Sequence, residues 1–184
     1  MSSKKIRTPF GPDVARTLRA GDRVLLTGTI LTGRDSAHKR LFDLLEAGKP
    51  FPVDIKDMLI YYVGPSPAKP GKAIGSAGPT TSLRMDPYAP ALLEVGLRGM
   101  IGKGSRAKPV KDAIMKHGGV YFAAVGGAAA LIAKSIKAAK IVAYEDLGPE
   151  AIYQLEVEDF PVIVINDTEG NDLYELGVAQ YKRA

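Results

Sequence analysis

The sequence predicts a single α/β domain built on a mixed sheet, and three observations carry that prediction. Strand-like and helix-like segments alternate through the second half, the pattern of β-α-β units. The first half is richer in strands and loops, which allows a second small sheet layered on the first. And 184 residues are enough for one ordinary core but too few for two full-sized ones, with no internal repeat or long linker to divide them.

Residues 23–31, RVLLTGTIL, read as a buried strand: they are apolar and β-branched, behind the turn Ala20-Gly21-Asp22. Residues 36–47 read as a helix, with Ala37, Leu41, Leu44 and Leu45 on one face, Asp35 as N-cap, and Gly48 and Pro50 as the stop. Residues 57–64 form a second strand. A Pro-rich loop, 65–71, leads to a short strand around Ala73-Ile74-Gly75. Gly78 to Ser82 read as a turn into a helix start, with hydroxyls that cap. A helix over 89–96 precedes a strand over 97–101, then a helix over 108–117 and a strand over 120–125. Gly126-Gly127 open an Ala-rich helix, 128–139. A strand over 140–144, a helix or turn over 148–155 and a strand over 161–166 complete the order. Residues 1–12 read as an N-terminal extension, 13–177 as the domain, and 178–184 as a tail; both ends are expected to be flexible or held by a partner.

Composition narrows the chemistry. Cysteine is absent, which excludes a disulfide scaffold, a thiol nucleophile and a Cys-ligated metal held by this chain alone. With only His38 and His117 as histidines, no metal site is expected here. The formal charge of +5 is spread along the chain, with one local run of four basic residues between Lys103 and Lys111. Trp is absent and aromatics are few, so a base-stacking platform has little material. No apolar run is long enough to cross a membrane, and MSSKKIRTPFGPD lacks the apolar middle of a signal peptide. The expected location is the cytoplasm, without membrane or nucleic-acid partners.

Four clusters sit at expected strand ends or helix starts, where α/β proteins place their sites. In the first, Gly33-Arg34-Asp35 with His38, the planar fork of an arginine suits a carboxylate. The bland alternative is a structural Arg34–Asp35 pair with His38 on the helix surface. The second runs from Gly75 to Asp86, where Thr80, Thr81, Ser82 and Arg84 can surround an anion. In the third, Gly102-Lys103-Gly104-Ser105-Arg106, glycines permit close approach beside a point charge, but the P-loop spacing is missing. The fourth, Gly126-Gly127-Ala128, serves helix–sheet packing better than phosphate binding. Together these describe a receptor for a small polyanion such as a dicarboxylate, with little acid–base machinery of its own.

The strings GTILTGRDSAHKR (28–40), YYVGPSP (61–67), IGSAGPTTSLRMDPY (74–88), MIGKGSR (100–106), AVGGAAALIAKSI (124–136), AYEDLGPEAI (143–152) and VEDFPVIVINDTEGN (157–171) resemble the β subunit of class I fumarate hydratase. That iron–sulfur hydro-lyase family also contains the β subunit of L(+)-tartrate dehydratase. The resemblance implies a swivelling β/β/α fold. It also implies a cysteine-bearing α subunit that holds a [4Fe–4S] cluster, an α2β2-type heteromer, and interconversion of (S)-malate with fumarate and water. Carried over by motif, it makes Arg34, Arg84 and Lys103 binders of the substrate carboxylates and Thr80 the catalytic residue, with Asp35, His38 and Thr81 behind them. An L(+)-tartrate dehydratase β subunit is the alternative within the family. A non-catalytic RNA-binding module using Lys103–Lys111 is the alternative outside it.

Overall fold

Alternation along three short strands divides the interior into two layers. In the computed structural model, which describes residues 3–68, 70–124 and 129–182, these strands are β3 (Leu59–Tyr61), β4 (Gly99–Gly102) and β5 (Val120–Ala123). Leu59, Tyr61, Ile101 and Phe122 point into one apolar cluster, whereas Ile60, Met100 and Tyr121 point into the other. A strand sends successive side chains to opposite faces, so β-branched and aromatic runs fill both sides at once.

The three strands are parallel to one another and to β2 (Arg23–Thr32), whose C-terminal end pairs with β3. Strand β7 (Ile152–Asn166) runs antiparallel to β2 along most of its length, and near its end it turns to β5. The pairings β2–β3–β4–β5–β7 therefore close a circuit, with β1 (Lys4–Thr8) and β6 (Ile136–Ala143) added outside β2 and β7. Leu26, Ile30, Leu155, Phe160 and Val162 join the cluster packed between the two arms of this sheet. The second cluster lies under helices α2 (Asp35–Glu46), α3 (Ala89–Glu94) and α4 (Lys108–His117), through Leu41, Leu92 and Ile114 among others. Each such side chain contributes about 1.5–3 kcal/mol when fully buried. Helix α4 shows why its limits were legible: Pro109 sits in its first turn and Gly118 takes the left-handed conformation just past its end.

Several expectations are corrected. The sheet is one seven-stranded sheet folded on itself, not two. Residues 4–8 are a strand of that sheet, because Gly28 lets the Thr8 backbone approach β2 closely. The Ala-rich helix, α5 (Ala129–Ser135), gives way at Ile136 to β6, four residues before the strand expected there, because β7 offers a pairing edge. No strand forms at 73–75. The strand expected at 161–166 is the end of the 15-residue β7. Residues 145–150 form a 3-10 turn, and helix α6 (Leu173–Tyr181) runs through the expected tail boundary. The short helix α1 (Pro12–Ala15) follows β1. The expected use of Gly126-Gly127-Ala128 lies outside the described residues.

Candidate functional site

The carboxyl ends of β2, β3 and β4 lie side by side, and each leads into a loop that carries a polar side chain toward the same edge. After β2 comes Arg34, whose extended backbone makes it the N-cap of α2. Its guanidinium Nη2 lies 3.6 Å from Glu150 Oε1. Asp35 was expected to be that cap; it is the first helical residue instead. Its carboxylate receives Arg84, which donates from Nε to Oδ1 at 2.9 Å, with Nη2 2.8 Å from Oδ2. A guanidinium outcompetes backbone amides for a carboxylate because both charges contribute. The helix end is capped across the fold instead: Ser36 N–H donates to Glu150 Oε2 at 3.1 Å. Asp35 also lies 4.0 Å from Arg34 Nε, so one carboxylate stands between two arginines.

After β3, Tyr62 O accepts the Thr80 N–H at 2.7 Å. Lys103, which follows β4, donates its N–H to Thr80 O at 3.3 Å, and a parallel bridge joins Thr81 to Lys103. Thr80, Thr81 and Lys103 are thereby fixed to one another by backbone. Thr81 precedes the 3-10 turn Ser82–Met85 and makes no side-chain cap there, contrary to expectation. The neighbouring hydroxyl is used for packing: Ser82 Oγ accepts the Lys103 N–H at 3.1 Å and donates to Tyr121 Oη at 2.8 Å, while Tyr121 donates to Gly104 O at 2.8 Å. Glycine is required at 102, since a Cβ there would collide with Ser82 Oγ; at 64 a Cβ would meet only the Arg34 side chain.

Behind this edge lies a fully enclosed Arg106. Its Nε donates to Asp86 Oδ1 at 2.6 Å, and Asp86 Oδ2 accepts the Ala107 N–H at 2.6 Å. Its guanidinium carbon sits 4.9 Å from the Tyr121 ring centre and 5.4 Å from that of Tyr62. His38, expected on the helix surface in the bland alternative, is fully buried and packs edge-on against Tyr62, ring centres 5.1 Å apart. The Arg34 carbonyl faces His38 Nδ1 at 2.9 Å; a carbonyl only accepts, so the imidazole proton sits on Nδ1. Burial pushes the His38 pKa down to about 4, so the ring is neutral at pH 7.

The structure thus brings Arg34, Thr80, Arg84 and Lys103 to one edge, with Asp35, His38 and Thr81 touching or joined to them. The Arg84 side chain is 52% exposed and Lys103 lies open, so both reach solvent. The other cations of the 103–111 run are committed to acids: Arg106 to Asp86, Lys108 to Asp112, and Lys111 to Asp172 and Glu175. They form no free basic stripe of the kind nucleic acid requires. Sequence reasoning missed Glu150, and it missed the partners that Asp86 and Ser82 find in Arg106 and Tyr121. Glu150 meets Arg34 only through the fold, and no local spacing announces it.

A family model described as "Fumarase C-terminus" matches residues 5–177. The class I, anaerobic fumarate hydratase of Escherichia coli is 49% identical over 155 residues, covering 83% of this chain and 28% of that protein. Fumarate hydratase 2 of Leishmania major is 44% identical over 161 residues, 86% of this chain and 28% of its own. The putative L(+)-tartrate dehydratase subunit beta of Methanocaldococcus jannaschii is 38% identical over 166 residues, covering 87% of this chain and 85% of that subunit. The chain therefore spans under a third of the length of the fumarate hydratases it matches.

Proposed function

The chain belongs to the fumarase C-terminal family, and on that premise we propose that it is the β part of a hydro-lyase that interconverts (S)-malate with fumarate and water. The observation that carries this reading is the convergence of Arg34, Arg84, Lys103 and Thr80 at the carboxyl ends of three adjacent parallel strands. Three cations face that edge against the carboxylates of Asp35 and Glu150, leaving positive charge for a dianionic substrate. Arg34 and Arg84 offer planar forks for one carboxylate, and Lys103 a point charge for the other.

This chain's own residues do not fit an iron–sulfur cluster. The sequence has no cysteine, and no group of three or more His, Cys, Asp or Glu among the described residues is arranged to hold a metal ion. The [4Fe–4S] cluster of the reading belongs to a cysteine-bearing α partner, in an α2β2-type assembly in the cytoplasm. The layered sheet and helix arrangement is assigned to the swivelling β/β/α fold on the same grounds.

The contribution of this chain is binding and orientation. Fixing both carboxylates removes rotational freedom before the reaction, a large share of what catalysts supply. As the C3 proton leaves, charge develops on the adjacent carboxylate, and the guanidinium and ammonium groups stabilise it where it forms. Thr80 is assigned to the proton at C3. Its backbone is pinned on both sides, so its hydroxyl holds a fixed place, but an unaided hydroxyl is a weak base at neutral pH. The group that activates it is assigned to the α partner.

L-tartrate is the alternative substrate, since one relative is named a putative tartrate dehydratase subunit. The higher identities to fumarate hydratases favour malate. Assembly with the α partner, anaerobic cluster reconstitution, and kcat/KM for malate and for L-tartrate decide between them. A larger value for malate is expected; a larger value for tartrate reverses the assignment, and no turnover of either overturns the reading.

A further inference from the structure

Three polar atoms are buried without a protein hydrogen-bond partner just behind the strand-end loops: His38 Nε2, Tyr62 Oη and Arg106 Nη2. They belong to side chains already in contact, since the Tyr62 ring meets the His38 ring on one side and the Arg106 guanidinium on another. Leaving a buried polar group unmatched costs on the order of 1–3 kcal/mol, so three on side chains that touch one another point to a shared partner.

Their chemistry identifies it. With its proton on Nδ1, His38 presents a lone pair at Nε2 and needs a donor. Arg106 Nη2 can only donate and needs an acceptor, since Nε rather than Nη2 reaches Asp86 and Nη2 has no protein partner. Tyr62 Oη can do either. An anion such as chloride could take the arginine's bond but has no proton for His38. A water accepts from Arg106, donates to His38 and exchanges its third bond with Tyr62, the usual complement for a buried water.

Each of the three side chains also controls a loop of the candidate site. His38 holds the carbonyl of Arg34. Tyr62 holds the N–H of Thr80 through its own carbonyl. Arg106 follows Lys103 by three residues and binds Asp86, two beyond Arg84. We infer that His38, Tyr62 and Arg106 bind one internal water, and that this node is a positioning device setting the Arg34, Thr80–Arg84 and Lys103 loops relative to one another. The water site rests on the three unpartnered atoms and the contacts of their side chains; its effect on turnover rests on the hydro-lyase reading.

The test has two arms. A high-resolution crystal structure of the full chain should place a water within hydrogen-bond distance of all three atoms, and nitrogen NMR should find His38 protonated at Nδ1. A direct contact that satisfies the three atoms without water, or a proton on Nε2, overturns the site. In the assembled enzyme, Tyr62→Phe removes the hydroxyl alone, and His38→Asn keeps a donor toward the Arg34 carbonyl while deleting the Nε2 contact. Each should lower kcat/KM about tenfold at an unchanged folded fraction, with the amide resonances of Arg34, Thr80 and Lys103 displaced. Wild-type kcat/KM and unmoved amides in both variants overturn the positioning role. An inactive wild-type assembly with the water in place instead condemns the hydro-lyase reading and leaves the site intact.

Discussion

Arginines at the two ends of the parallel strands are used in opposite ways. At the amino end, Arg98 is 9% exposed and each of its three nitrogens donates a hydrogen bond. Nε and Nη2 donate to Asp57 Oδ1 at 3.2 and 2.9 Å, and Nη1 donates to the carbonyls of His117 and Gly118 at 2.8 and 2.9 Å. It closes the end of α4, where unpaired carbonyls favour a cation, onto the strand entry. At the carboxyl end, Arg84 shares Asp35 with Arg34 and keeps half its side chain in solvent. A buried arginine with all three nitrogens engaged holds a fold together. One with donors left over, beside a second cation, can hold a ligand. The sequence presents both simply as arginines near strand ends.

The sharpest way to break this contrast is to remove the amino-end arginine. Arg98→Ala strips Asp57 and two helix-end carbonyls of their partner, and should cost about 3–5 kcal/mol in urea unfolding. A loss near zero would mean that Arg98 is no more structural than Arg84.

His38 ties the carboxyl end to the same question through pH. Its folded pKa of about 4 lies below the ordinary 6.5. The folded form therefore excludes a proton that the unfolded chain takes up between those values. The stability it contributes is complete above pH 6.5 and is lost as pH falls to about 4, a change on the order of 3 kcal/mol. Unfolding curves at pH 7 and pH 4.5 should differ by less in His38→Asn than in the wild type. Equal differences would contradict a buried neutral imidazole.

Arg84→Ala should do the reverse of Arg98→Ala. Loss of one charged hydrogen-bonding partner for substrate, about 1.5–3 kcal/mol, lowers kcat/KM roughly tenfold to a hundredfold while the unfolding midpoint hardly moves. A smaller change is expected from Gly64→Ala. Its new methyl meets the far end of Arg34, a flexible group, and pushes the guanidinium aside without touching backbone. Turnover should fall about tenfold or less, with stability nearly unchanged. If Gly64→Ala instead unfolds the chain, Arg34 is a packing residue.

The elements that were legible in sequence are those fixed locally. Helix α4 carries its own proline start and glycine stop, and β2 is a long apolar run between turns. The placement of Arg34, Thr80, Arg84 and Lys103 at strand ends was legible because glycines, hydroxyls and cations stand together there. The misreadings involve partners distant in the chain. Strand β6 exists because β7 lies beside it, overriding the helix propensity of an alanine-rich segment. Asp35 is drawn from its capping place by Arg84, 49 residues away, and Glu150 takes the cap from 114 residues away. The burial of His38 follows from α2 lying against Tyr62, which periodicity alone does not reveal.

The central claim is that the carboxyl-end cations, and not those at the amino end, hold the dicarboxylate. An NMR titration of the full chain with fumarate, with and without its α partner, tests it most directly. The account predicts displaced resonances at Arg34, Thr80, Arg84 and Lys103, growing stronger with the partner, and none at Arg98. Shifts centred on Arg98 and the end of α4, or none at the carboxyl end with the partner bound, would contradict it.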